Sequence, residues 1–463
     1  MHAQIEDGLL ICRTGTSDSL RVQVPWAIPG RSPSILGTST LPSRQETYLL
    51  VLELARGRLT ELRHFFQDGS AEEARPLPPQ LQEAHALFVE AILNREDTEL
   101  CASLATRSLQ KSLELGEERL ARHFDSNEAK AALVDKLSLN MTGLRPGEPI
   151  SDWAIRNADI ARIAPNWRIV NPQEDLIHWA DWEMPVRLAH ESGMAVHCGP
   201  LIDFSSDSLP AWLDRYQDIT HACRAVSKYV SYVVRNLLNR VHVWHIVRRP
   251  AMAKVNNLSE EHQIKLAMEA IQAVTQNAPD AEMVIDLTSP WAEWLSHSGF
   301  ELGPLHLADT LARADLGISG INLELALGYP APGSHLREVY DIYRLIQLYS
   351  QINLPLHLDL AIPSGADTAR TQRRLQRHAA DPRQWPGGCD QTTQANLGMK
   401  VMSLAAMMPT VRSIHWSNLM DAPDQEFAES GLFTPDKKPK ILASRIEEIR
   451  KFRTPVSQGL LMS

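Results

Sequence analysis

The chain has 463 residues, 44% of them hydrophobic and 22% charged, enough to bury a large core and to fill two or three domains. Its formal net charge of −10 argues against a general binder of nucleic acid or of an anionic membrane, because either needs a clustered basic surface. The five cysteines (Cys12, Cys101, Cys198, Cys223 and Cys389) are scattered with no Cys-x-x-Cys pair, which points to free thiols and away from a disulfide framework or a zinc site.

The opening residues Met1 to Arg13 lack a basic stretch followed by an unbroken apolar one and do not read as a signal peptide, no segment reaches the length of a membrane span, and the free thiols point to a reducing cytoplasm as the expected location. Residues 1–45 are rich in Ser, Thr, Pro and Gly around short alternations such as Leu20-Arg21-Val22-Gln23-Val24, and read as a few strands or an extended arm. Over residues 46–130 the period becomes helical: Tyr48, Leu49, Val51, Leu52 and Leu59, then Ala84, Leu87, Phe88, Ala91 and Ile92, then Leu104, Leu109, Leu113 and Leu120. Gly69 to Pro79, with its three prolines, separates the first helix from the rest. These apolar stripes need a partner surface and no long flexible linker precedes Leu133, so the helical region is expected to pack against the domain that begins near residue 131. Arg56, Arg58 and Arg63 of its first helix read as solvated or docked, and the basic run Arg373, Arg374 and Arg377 as a solvated helix face.

From residue 131 to the end, short β-branched runs alternate with amphipathic helical stretches, the pattern of βα units on a parallel sheet. Eight strands are predicted, at Leu137–Met141, Trp167–Asn171, Ala195–Phe204, Val241–Val247, Met283–Leu287, Gly320–Ala326, Leu354–Ile362 and Val411–Asn418. Eight such units over roughly 320 residues predict an α/β fold of the (β/α)8 TIM-barrel class with an N-terminal β-arm and a helical extension. The missing Gly-rich phosphate fingerprint after the first strand agrees with that choice.

Several motifs then occur in an order that points to one family. Trp244-His245-Ile246-Val247-Arg248-Arg249 resembles the Trp-Asp-Val-Val-Asn-Glu strand of glycoside hydrolase family 10, the xylanase family. Ala164-Pro165-Asn166-Trp167-Arg168-Ile169-Val170-Asn171 resembles its second-strand region, and Trp179 through Leu213 its third βα segment. Val411 to Asp421, followed by Gly431-Leu432-Phe433 and Lys437-Lys438-Pro439-Lys440, is similar to the eighth strand and its tail. The resemblance spans roughly residues 133–455 and implies the family's barrel, with a cleft for carbohydrate at its C-terminal face.

The departures fall on the chemistry. Where the resemblance places the acid/base glutamate stands Arg249, and a guanidinium cannot lose its proton near neutral pH. Leu360, in Leu356-His357-Leu358-Asp359-Leu360-Ala361-Ile362, falls at the nucleophile and has no oxygen to form a glycosyl ester. The sugar-binding His and Trp of the third strand become Gly199 and Asp203, and Glu324 stands where the family has a glutamine. Retaining hydrolysis needs two carboxyl groups about 5–5.5 Å apart, so standard xylanase chemistry is not expected.

The strand ends still carry a polar set: Asp203, His245, Arg248, Arg249, Asp286, Glu324, His357, Asp359, Trp416 and Asp421. Arg249 reads either as a buried partner of Glu324 or Asp359 or as a fork for a carboxylate or phosphate ligand. Glu324 with Asp359 or Asp286 could supply a new acid and base, and the structural reading of the same residues is an ion-pair patch. His245 and His357 read as hydrogen-bonded core groups sooner than ligands, with no metal and no cofactor expected. Trp416 reads either as a sugar platform or as core, and Trp291 and Trp294 as helix packing. Three readings stay open: a catalytically altered barrel that binds a carbohydrate or small polar ligand, an active sugar enzyme with repurposed carboxylates, and a non-catalytic scaffold for a protein partner.

Overall fold

Short, largely buried strands separated by helices close a ring in the second of two compact units, formed by residues 123–335 with 341–463, while residues 1–122 with Leu336–Tyr340 form the first. The computed structural model describes residues 2–6, 9–13, 19–31, 33–44, 46–67, 77–124, 126–216, 218–250, 258–295, 302–330, 332–365, 378–385, 387–423 and 425–452. The basic run Arg373, Arg374 and Arg377 and most of the proline-rich break after the first helix lie outside these residues.

In the first unit the expected strands are two antiparallel hairpins. Strand β1 (His2–Glu6) pairs with β2 (Leu9–Arg13), and β3 (Gln23–Trp26) with β4 (Ser34–Gly37). Helices Leu50–Gln67, Pro79–Leu93 and Thr98–Phe124 come next, and their stripes bury Leu54, Leu62, Ala84, Ala91, Leu109 and Leu113 completely. Burying a leucine of this kind is worth about 1.5–3 kcal/mol, so the stripes supply the unit's cohesion. Arg58 is not solvated: it is buried, with Nη2 2.8 Å from Glu338 Oε2 and its guanidinium carbon 4.3 Å from the Tyr340 ring centre. Its partners belong to the Leu336–Tyr340 segment, so this unit is completed by chain from far downstream.

The ring of the second unit consists of β5 (Leu137–Asn140), β6 (Ile160–Ile163), β7 (Ala195–Cys198), β9 (Val243–Arg248), β10 (Glu282–Thr288), β11 (Gly320–Ala326), β12 (Leu356–Ala361) and β13 (Val411–Trp416). All run parallel, each beside the next, and β13 returns to pair with β5. The predicted (β/α)8 barrel is therefore the fold. A two-residue strand, β8 (Ile202–Asp203), lies along the upper end of β9. Connecting helices start at side-chain caps, among them Ser126, Asp218, Ser259 and Asp390, each accepting from a free N–H of the first turn. No helix among the described residues is long and apolar enough to cross a membrane.

One predicted strand is corrected. Trp167–Asn171 is not extended; Trp167–Val170 is a one-turn helix, and the second barrel strand is Ile160–Ile163. The Asn166 side chain accepts from the Ile169 N–H and starts that turn just after Pro165. The predicted single strand Ala195–Phe204 is also divided, into β7 and β8. Between them Gly199, at φ 125°, passes so close to β9 that a Cβ would lie 2.0 Å from the His245 carbonyl oxygen, so only glycine fits.

Candidate functional site

Side chains alternate between lumen and helix layer along each strand, and one irregularity changes the count. In the pairing of β9 with β10, His245 lies beside Val284 and Val247 beside Ile285, leaving Ile246 as an extra residue. Asp286 faces the lumen, and because Arg248 is its neighbour across this bulge, His245 and Arg248 both point inward although three residues apart.

The deeper level of the lumen is built around Arg162 of β6. Its Nε donates to the Gly199 carbonyl at 2.9 Å, Nη1 to His245 Nε2 at 3.0 Å and Nη2 to Asp286 Oδ2 at 2.7 Å. Arginine can only donate, so His245 Nε2 must accept, and its proton sits on Nδ1, which donates to Asp286 Oδ1 at 2.5 Å. His357 Nδ1 meets the Ser413 hydroxyl at 2.8 Å, and His415 Nδ1 that of Ser138 at 3.2 Å. The rings of His197, His245 and His357 stand in a triangle with 5.8 Å between each pair of centres. Burial pushes all four histidines below their ordinary range, helped by Arg162 and, for His197 and His245, by the neighbouring rings, with His357 brought down to about 4. They are neutral at pH 7. Burial pushes the Asp286 carboxyl up, and Arg162 opposes it.

At the C-terminal mouth two adjacent arginines meet three acids. Arg248 forks onto Glu324, with Nε 2.8 Å from Oε2 and Nη2 on Oε1, while its Nη1 reaches Asp203 at 3.1 Å and Glu426 at 2.9 Å. Arg249, at φ 60° just past the strand, holds Asp203 with Nε at 2.9 Å and Nη2 at 2.8 Å, and Glu426 with Nη1 at 2.5 Å. Against the upward push of burial, the two guanidiniums bring Asp203 down to about 2 and hold Glu426 below the usual carboxylate range. Glu324 also accepts from the Thr288 hydroxyl at 2.7 Å; burial pushes it up and Arg248 opposes this.

Asp359 differs from these acids. It sits beside Glu324 in the sheet register and faces the lumen, where the Ser417 hydroxyl donates to it. No cation lies within ion-pairing distance of it among the described residues; Arg162 and Arg248 act on it only through space, and burial pushes its carboxyl up. Alternation puts Leu360 on the opposite face, so the lumen-facing residue at this level of β12 is a carboxylic acid.

The structure thus joins Asp203, Arg249 and Glu324 at the mouth, with Asp359 beside them and His245, Asp286 and His357 below. Arg249 meets neither Glu324 nor Asp359, the partners expected for it; Glu324 belongs to Arg248. Trp416 is no sugar platform. It is 0% exposed, faces the helix Gln391–Met407, where a Cβ on Gly398 would lie 3.3 Å from its ring, and its Nε1 donates to the Ser430 carbonyl at 2.8 Å. Asp421 is likewise structural, pairing with buried Lys440 and accepting from the Gly431 N–H at 2.7 Å. Sequence reasoning missed Arg162 and Glu426. An arginine inside the apolar run Ile160-Ala161-Arg162-Ile163 was the signal for the first; nothing local marked the second. Among the described residues no group of three or more His, Cys, Asp or Glu side chains is placed to hold a metal ion.

No protein-family model and no curated protein sequence matches the chain. Solved structures do. Native xylanase 10B of Thermotoga maritima matches at 16% identity and TM-score 0.52, over 70% of this chain and 97% of that one. Xylanase 10B of Thermotoga petrophila, in complex with xylobiose, matches at 16% identity and TM-score 0.53, over 70% and 96%. The intracellular xylanase of Thermoanaerobacterium saccharolyticum, a mutant in complex with xylotetraose, matches at 11% identity and TM-score 0.50, over 70% and 98%. These likenesses show the fold: the chain's (β/α)8 barrel is similar to that of glycoside hydrolase family 10 xylanases.

Proposed function

We infer that this chain is a family 10-like barrel altered away from xylan hydrolysis, which holds a carbohydrate or another small polar ligand at its C-terminal mouth. The observation that carries the reading is the ion network of Arg248 and Arg249 with Asp203, Glu324 and Glu426. Retaining hydrolysis needs one carboxyl free to give and take a proton and a second free to attack carbon. Carboxylates held in guanidinium forks are spent on pairing. The complexes of the Thermotoga petrophila and Thermoanaerobacterium saccharolyticum xylanases with xylo-oligosaccharides support carbohydrate as the ligand class. Free cysteines throughout support a cytoplasmic location.

The test pairs turnover with binding. Purified protein incubated with xylan is expected to release no reducing ends above a buffer control, while xylotriose shifts amide signals of mouth residues in NMR spectra. Robust xylan turnover, or no ligand response from any sugar tried, sinks the reading. Asp359 favours a second one, an acid/base sugar enzyme in which its unpaired carboxyl works beside Glu324. Turnover of any glycoside that disappears in both Asp359→Asn and Glu324→Gln would establish that alternative. The burial of Arg249 and Trp416 favours a third, a scaffold for a protein partner, for which ligand silence is the expected result.

A further inference from the structure

The geometry points to a positively charged ligand for this mouth: an amine-bearing sugar or comparable organic amine that sets its ammonium group against Asp359. This rests on the ligand-binding reading above and adds its chemical class. Among the described residues the charge inventory of the lumen is unequal, with Asp203, Asp286, Glu324, Asp359 and Glu426 facing Arg162, Arg248 and Arg249, while the four histidines are neutral. Every acid but Asp359 sits within ion-pairing distance of an arginine. Asp359 is also not fully buried, so its carboxylate is the acid of the group that an entering molecule can meet unpaired.

A second observation stands apart from the acids. Asn322, on β11 two residues before Glu324 and in register with Asp286 and His357, is 1% exposed and lies on the lumen face. It lies beside Asp286 in the sheet, and its Oδ1 has no hydrogen-bond partner among the described residues. A buried acceptor left without a donor is costly, so the site favours molecules rich in N–H or O–H groups. The lumen therefore presents an unpaired carboxylate and an unpaired carbonyl oxygen, both of which only accept. An ammonium group donates three hydrogen bonds and accepts none, which matches them and offsets part of the excess negative charge. An anionic sugar would face Asp359 and Glu324 with like charge.

The test titrates the full chain by calorimetry at about pH 6 and again at about pH 7.5, because burial pushes the Asp359 carboxyl up and the higher pH favours its ionised form. Three matched disaccharides serve as probes: chitosan disaccharide with free amines, N,N′-diacetylchitobiose and cellobiose. The charged disaccharide is expected to bind at least about tenfold more tightly than either neutral one, the gain of one charge-assisted hydrogen bond. Asp359→Asn, nearly the same shape without the charge, is expected to remove that preference, its fold being checked by the unfolding midpoint. Equal binding of all three by the unmodified protein overturns the ammonium assignment and leaves the carbohydrate reading standing. A preference that survives in a folded Asp359→Asn protein also overturns it. Silence toward all three overturns both.

Discussion

In the deeper lumen His197, His245, His357 and His415 are buried as neutral rings around one Arg162–Asp286 pair, whereas one level higher Arg248 and Arg249 are buried as ions among three carboxylates. A neutral ring needs only a hydrogen bond or a packed neighbour, while a buried ion needs a partner for its whole charge. The two levels should therefore fail differently. The mouth is vulnerable to the loss of one member, and the deep level to the arrival of a proton.

The largest effect is expected for Arg248→Ala. It strips Glu324 of its fork and leaves Asp203 and Glu426 sharing one guanidinium, and breaking a buried pair from one side costs about 3–5 kcal/mol. Chemical denaturation reads this directly. Arg249→Ala should cost less, because Arg248 still reaches both of its acids. If Arg249 proves the more costly of the two, the centre of the network has been misplaced.

Acid titration separates the two levels. The histidines have folded pKa values below the unfolded value of about 6.5, so as pH falls through that value the unfolded chain takes up protons first and stability is lost. For His357 the window runs from about 6.5 down to about 4. Asp203 contributes stability above the unfolded value of about 3.9 that is lost only as pH falls through about 2. Asp286, Glu324 and Asp359, pushed up by burial, act in the opposite sense, so a difference measurement is needed. His357→Gln should flatten the pH dependence of unfolding free energy by up to about 1.4 kcal/mol per pH unit within its window and leave the lower window unchanged. An unaltered slope would mean that His357 is not held neutral by burial.

A smaller effect concerns the chain's two units. Cleavage by a dilute protease near Phe124 is expected to nick the chain without separating the fragments on a sizing column, because the first unit keeps Leu336–Tyr340, which lies on the downstream fragment. Fragments that elute apart would show that Arg58 and its partners do not hold that segment.

Much of the barrel was legible because buried parallel strands are runs of apolar residues of fixed length. The predicted Gly320–Ala326 is strand β11 to the residue. Trp167–Asn171 misled because Trp, Ile and Val favour strands, and the Pro165-Asn166 start signal outweighs that preference. Arg162 was missed because a four-residue strand is too short to show a period, and Glu426 because its partners lie 177 and 178 residues away in the chain. Leu360 and Trp416 taught a different lesson. A motif match fixes a position along a strand, yet function depends on the face, and one residue of offset exchanges the faces.

The extra residue at Ile246 gives that lesson a physical form. A strand behaves as a two-stroke rhythm, and the inserted beat means that positions after it keep time with the neighbouring strand only when counted one step late. It is therefore Arg248 that lies level with Asp286, although the ruler of the linear motif lands on Arg249. Because Arg248 and Arg249 reach the same two acids, Asp203 and Glu426, mutation at 249 alone would leave a guanidinium on both of them.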